Sequence, residues 1–153
     1  MKYKTSKRWP KRSLENFFNN WSENMAYVLG YFAADGTMYK NKRGSCYVAF
    51  TSTDRKLIIL IKKIMSASNT IESYKSPKKT WKRRYVLQIG SKKLYQKLIE
   101  LGFMPRKSLI LVFPNIPNRI LNHFLRGYFD GDGCASFASY KRKNRNDLQK
   151  VLS

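Results

Sequence analysis

Apolar residues recur at Leu14, Phe17, Phe18 and Trp21, which predicts a short helix capped by Ser13. Ser22 is placed to cap a second helix, running from Asn24 to about Ala34, with Glu23 in its first turn and Gly36 as its stop. Residues 37–40 are β-prone, Asn41-Lys42-Arg43-Gly44 reads as a turn, and residues 46–53 alternate well enough for a strand. After Asp54, the residues Leu57, Leu60, Ile61, Ile64 and Met65 fall at helical spacing. Residues 70–75 and 81–89 predict two more strands around a turn at 76–80. Residues 91–101 predict an amphipathic helix with Leu94, Leu98 and Ile99 as its core face, ended by Gly102. An apolar extended piece, 108–113, leads to Pro114, and a long helix then runs from near Pro117 to Gly133. The order is helix, two strands, helix, two strands, helix, an α+β pattern whose short loops imply antiparallel hairpins.

A repeat organises this pattern. Gly30-Tyr31-Phe32-Ala33-Ala34-Asp35-Gly36 recurs 97 positions later as Gly127-Tyr128-Phe129-Asp130-Gly131-Asp132-Gly133, with Gly, Tyr, Phe, Asp and Gly matching at five of the seven positions. Two copies imply a pseudo-symmetric molecule built on a unit of about that length. The expected division is a basic flexible arm at 1–12, a first unit at 13–114 and a partial second unit at 115–153. The 20 residues after Gly133 suffice for one strand and the basic turn Lys141-Arg142-Lys143-Asn144-Arg145, with Val151-Leu152-Ser153 as a strand just begun. That leaves three possibilities: a fragment of a longer chain, a natural short form, or a chain that pairs with another polypeptide supplying the rest. A symmetric homodimer is disfavoured, because each chain already holds both repeated helices.

Composition narrows the partner. The chain has 153 residues with 31 Lys and Arg against 9 Asp and Glu, a formal charge of +22. Such an excess suits a polyanion. Aromatics at 14% argue for a packed core. No apolar run approaches the ~20 residues of a membrane span, and the basic, polar N-terminus lacks a signal-peptide pattern. Cys46 and Cys134 stand far apart, which fits an intracellular setting, bacterial cytoplasm or organelle. One histidine, His123, makes zinc-finger or histidine-rich nuclease sites improbable.

The repeated segment carries the chemistry. Ala26, Gly30 and Ala34 share one helix face, and His123, Gly127 and Gly131 share another. Small residues let helix backbones approach closely, so the two copies are predicted to pack together. Each copy ends in Asp-Gly. The glycine suits a left-handed C-terminal cap. The carboxylate opposes the helix dipole by roughly 0.3–1 kcal/mol. Packed in parallel, the helices would bring Asp35 and Asp132 together in a partly dry site where they repel. A divalent cation removes both problems, and carboxylate oxygens suit Mg²⁺. Beside a phosphodiester this means metal-assisted hydrolysis.

Both segments resemble the LAGLIDADG motif of homing endonucleases, here Val28-Leu29-Gly30-Tyr31-Phe32-Ala33-Ala34-Asp35-Gly36 and Leu125-Arg126-Gly127-Tyr128-Phe129-Asp130-Gly131-Asp132-Gly133. The resemblance spans roughly residues 22 to 140. It implies an αββαββα unit with a saddle-shaped antiparallel sheet lying in the DNA major groove, plus the motif helix and first strand of a second unit. It implies two motif helices at the central interface, with Asp35 and Asp132 binding Mg²⁺ or Mn²⁺ and double-stranded cleavage leaving short 3′ overhangs. Some relatives are intron maturases, which adds intron RNA as a second possible partner. Asp130 matches the family's other acidic position, where the first copy has Ala33. Asp54 resembles a water-organising polar residue and equally reads as a helix cap. Lys107 resembles a basic residue able to stabilise phosphate charge; it equally reads as a plain surface lysine.

The candidate DNA-contacting residues lie in and between the hairpins. Lys40, Lys42, Arg43, Lys75, Lys78 and Lys79 are placed for phosphates. In Trp81–Gln88, alternation separates Lys82, Arg84, Val86 and Gln88 from Arg83, Tyr85 and Leu87. Arg and Gln on an outward face can read guanine and adenine edges. Competing readings are a binding protein without catalysis, a nuclease using the DxK spacing of Asp54-Arg55-Lys56, and a ribosomal protein. The DxK site needs a strand where Lys56 opens a helix, and a ribosomal protein leaves the paired Asp-Gly helices without purpose.

Overall fold

The protein is described by a computed structural model covering residues 14–75, 77–105, 114–132, 137–141 and 148–152. The expected arm at 1–12, the extended piece at 108–113, Lys107, Gly133 and Cys134 lie outside the described residues. Helix α1 (Glu23–Asp35) starts where Ser22 Oγ accepts the Met25 N–H at 3.1 Å. Strand β1 (Gly36–Lys40) follows directly. The turn to β2 (Cys46–Ser52) is closed by Asn41, whose side-chain oxygen accepts the Ser45 N–H at 2.8 Å. Gly44 supplies the positive φ of +88° that this tight turn requires. Helix α2 (Arg55–Ile64) is capped by Asp54, and helix α3 (Lys92–Glu100) by Ser91. Between them lie β3 (Ile71–Tyr74) and β4 (Arg84–Gly90). A 3₁₀ turn at Asn118–Ile120 leads into α4 (Leu121–Asp132), and a separate hairpin pairs β5 (Phe137–Lys141) with β6 (Leu148–Leu152).

The four-stranded sheet is antiparallel throughout, ordered β1-β2-β4-β3. Its inner face presents Met38, Val48, Phe50, Leu87 and Ile89, all buried, to a helical layer. α1 occupies the centre: nine consecutive residues from Met25 to Ala33 are buried, so it is enclosed on every side. Phe32 meets Phe50 and Phe103 edge-on at 5.7 and 5.3 Å.

Several expectations are corrected here. The segment 14–21 contains a helical turn that gives way after Glu15, closed by Phe17 N–H on Leu14 O, and Leu14 and Phe18 are its buried anchors. In α2 the buried stripe runs through Ile58 and Ile61, while Leu60 is 41% exposed; five apolar residues in a row, Leu57 to Ile61, blur the phase. In α3, Tyr95 is buried and Ile99 lies outside, 45% exposed. Residues 81–83 precede β4. Gly36 has φ −79° and ψ 153°, extended backbone with no left-handed cap. Glycine is needed there because a Cβ would fall 2.1 Å from the Phe32 ring. In the partial second unit, the strand expected to be just begun at Val151 starts earlier, at Leu148, and pairs with β5, Phe137 opposite Leu152.

The two motif helices differ on their outer sides. Val28 and Phe32 of α1 are fully buried, whereas their counterparts 97 residues on, Leu125 and Phe129, are 43% and 59% exposed. Phe32→Ala is therefore expected to cost about 3–5 kcal/mol, and Phe129→Ala less than about 1 kcal/mol. Urea unfolding of both variants checks this.

Candidate active site and nucleic-acid face

Helices α1 and α4 make the most extensive helix contact in the fold. A Cβ built on Gly30 would lie 1.9 Å from the Phe124 carbonyl oxygen and 3.0 Å from the Tyr128 nitrogen. One built on Gly127 would lie 1.9 Å from the Tyr27 carbonyl oxygen and 3.0 Å from the Tyr31 nitrogen. Every partner in the first contact is the 97-residue counterpart of a partner in the second. The interface is thus isologous, with the two backbones touching across a pseudo-two-fold axis. The contacts advance in the same direction on both helices, so the pair is parallel. Further along, a Cβ on Gly131 would stand 2.7 Å from the Ala34 Cβ. Gly30, Ala34, Gly127 and Gly131 therefore meet in one seam. Ala26 is fully buried on α1, and His123 reaches across, with Nε2 3.7 Å from Glu23 Oε2.

Asp35 and Asp132 are the last residues of α1 and α4. Each stands one position beyond the Ala34–Gly131 contact, so the seam brings both helix C-termini to one end of the molecule. Neither helix has a basic residue in its last turn. Two helix-dipole negative ends and two carboxylates thus concentrate negative charge in a strongly basic chain. Both aspartates are exposed, so this end is wet where the sequence suggested partial dryness. Their donors are hard oxygens, and Mg²⁺ is commonly held by one or two carboxylates together with substrate phosphates and water. Among the described residues no three His, Cys, Asp or Glu side chains cluster. The set fits a cation that substrate helps to hold, and it does not make a cage.

Two tyrosines tie this end together, and sequence reasoning missed both. The buried Tyr31 hydroxyl donates to the Thr51 carbonyl at 2.8 Å, fastening α1 to the end of β2. Burial raises its pKa most, Asp35, Asp54 and Asp130 raise it further, and a Ser52 hydrogen bond opposes them. Asp35, Asp54 and Asp130 thus all act on one phenol. Asp54 accepts the Lys56 N–H at 2.8 Å as the α2 cap, and Lys56 lies in the first turn of that helix, which removes the strand a DxK site needs. Tyr27 donates to Asp130 Oδ2 at 2.7 Å across the helix pair, and burial followed by that hydrogen bond raises its pKa. The repeat of Tyr31 at Tyr128 was the available signal.

The sheet's outer face follows from register: Thr37, Tyr39, Tyr47, Ala49, Thr51, Arg84, Val86, Gln88, Glu72 and Tyr74 share it. Arg84 and Gln88 point outward with Val86, while Lys82 and Arg83 lie in the preceding loop, where Arg83 donates to Ser73 Oγ at 3.1 Å. Tyr39 donates to Gln88 Oε1 at 3.0 Å and stacks on Tyr47 at 5.0 Å, which orients the glutamine. Lys40, Lys42, Arg43, Lys75, Lys78, Lys79, Lys82 and Arg83 are all exposed around these hairpins. Trp81, 60% exposed, carries the Lys78 ammonium 5.2 Å from its ring centre. Glu72 is the acidic residue on this face, held by the Tyr74 hydroxyl. Glu72→Gln is expected to tighten duplex DNA binding a few-fold at low salt, about 1 kcal/mol or less, measured by fluorescence anisotropy.

No helix among the described residues is long and apolar enough to cross a membrane. No curated protein matches the chain. A family model described as a LAGLIDADG-like domain matches residues 22–101, from the α1 cap to the end of α3. That stretch holds α1, the whole four-stranded sheet and both helices packed on it, and it is more than half of the chain. By this match and by its α+β architecture, the chain belongs to the LAGLIDADG family of homing-endonuclease-like and maturase-like proteins.

Proposed function

We propose that this chain is a site-specific double-stranded DNA endonuclease of the homing type. The observation that carries this reading is the isologous seam through Gly30 and Gly127, which delivers Asp35 and Asp132 to one end of a parallel helix pair. Residues 13–114 form the first unit, with 115–153 as part of a second. Support for that division comes from α4, which exposes Leu125 and Phe129 where α1 buries Val28 and Phe32.

Asp35 and Asp132 would hold Mg²⁺ or Mn²⁺, which supplies charge neutralisation at the phosphate and an acidified water. The chain's own residues do the rest. Arg84 and Gln88 read base edges, Tyr39 keeps Gln88 oriented, and the hairpin lysines and arginines grip phosphates. Tyr31 fixes the end of α1 against β2, so the reading face and Asp35 keep a constant offset. Asp54 caps α2 beside that anchor and adds negative charge near the site. Lys107 is proposed to stabilise phosphate charge.

The test is incubation with a pool of randomised duplexes in Mg²⁺, followed by sequencing of the cut ends. A restricted set of sites with short 3′ overhangs, lost in EDTA, is expected. Binding without cutting in Mg²⁺ or Mn²⁺ would favour a DNA- or RNA-binding remnant or a maturase-like protein, with intron RNA as the ligand to try next. With many phosphate contacts, log K should fall steeply with log salt, by about 0.9 per phosphate neutralised.

A further inference from the structure

The isologous seam raises a question of partner choice. α1 is backed by a complete four-stranded unit, so α1 of a second copy carries the same small-residue seam and the same geometry as α4. A homodimer joined through two copies of α1 would place two complete units side by side. Something must favour α4 over it.

The interface is symmetric in backbone and asymmetric in side chains. On one side of the axis, Tyr27 donates to Asp130 at 2.7 Å, and the Arg126 guanidinium lies 4.7 Å from the Tyr27 ring centre. The 97-residue counterparts of Tyr27, Asp130 and Arg126 are Phe124, Ala33 and Leu29, all apolar and all buried. A second copy's α1 in the place of α4 would offer Tyr27 an alanine and a leucine. That happens twice in a symmetric pair, and Tyr27 is only 2% exposed. Two buried hydroxyls without side-chain acceptors weaken such a dimer by about 100-fold. Pairing α4 with a second α4 fails for the complementary reason, since Asp130 would face Phe124.

We infer that the Tyr27–Asp130 pair is the specificity element that commits α1 to this chain's own α4 and excludes a second copy of the chain from the same surface. The device is independent of whether the chain cuts DNA. It works because the acid is on one helix and the phenol on the other.

The test uses the full chain in sedimentation velocity, with circular dichroism to monitor folding. The wild-type chain is expected to be monomeric across the micromolar range. The variant Ala33→Asp/Asp130→Ala gives each α1 both a donor and an acceptor and strips the acceptor from α4; it is expected to double in mass. Adding Tyr27→Phe and Phe124→Tyr to Ala33→Asp/Asp130→Ala rebuilds the hydrogen bond on the opposite side of the axis, removes the donor that a second α1 would use, and should return the monomer. If the double variant fails to fold, its rescue to a folded monomer by Tyr27→Phe with Phe124→Tyr supports the inference equally. A folded double variant that stays monomeric, a wild-type dimer joined through α1, or no rescue by Tyr27→Phe with Phe124→Tyr would overturn it.

Discussion

Asp35→Asn and Asp132→Asn are each expected to lower the DNA cleavage rate by about 10³-fold or more, with duplex affinity changed by about twofold at most. A metal-held phosphate contributes several kcal/mol of transition-state stabilisation, and each 1.36 kcal/mol is tenfold in rate. The amide keeps the size of the side chain and removes the charge. Stability separates this role from a structural one. Asp132 closes a helix whose last turn holds no basic residue, so removing its charge relieves an unfavourable dipole contact worth about 0.3–1 kcal/mol. The Asp132→Asn variant should therefore melt at the same temperature as the parent or slightly above it. Loss of cutting with a lowered melting point would place this aspartate in the scaffold.

Gly30→Ala and Gly127→Ala are each expected to cost the fold more than about 3 kcal/mol. Two effects oppose each other. Alanine is the better helix former by about 1 kcal/mol, which favours the variant. Against it, the new methyl would sit 1.9 Å from a backbone carbonyl of the facing helix. A flexible side chain could move aside, but a helix backbone cannot without separating the pair, and overpacking of this kind exceeds the usual 1–3 kcal/mol. Because the contacts are related by the pseudo-two-fold axis, the two variants should lose similar amounts in denaturant titration. Gly131→Ala, whose methyl would meet the Ala34 Cβ at 2.7 Å, should cost less. A neutral Gly30→Ala would mean the helices are farther apart than described.

The αββαββα order was legible because each boundary has local chemistry: Ser22, Asp54 and Ser91 cap helices, and Asn41 with Gly44 closes the first hairpin. The phase of α2 was not, since Leu57 to Ile61 is apolar throughout and only the sheet decides which residues turn inward. Likewise Ile99 and Tyr95 exchange places in α3 because burial depends on what lies opposite. The 97-residue repeat made the helix seam readable, with Gly30 and Gly127 as its contacts. It marked Tyr31, through Tyr128, without showing its role, and it could not reveal Tyr27, whose counterpart is Phe124; both hydroxyls act across elements, on Thr51 and on Asp130. Gly36 matches the expected helix stop for a different reason: the Phe32 ring needs its space, and its backbone is ordinary.

On the proposed function, Asp35 and Asp132 act as one site. The most direct test is a double-mutant cycle on Mn²⁺ binding, followed by electron paramagnetic resonance in the presence of duplex DNA, with Asp35→Asn, Asp132→Asn and the double variant. Carboxylates sharing an ion are strongly coupled, so either single change should weaken binding nearly as much as both together. Losses that simply add, with each aspartate holding its own weak ion, would contradict the claim.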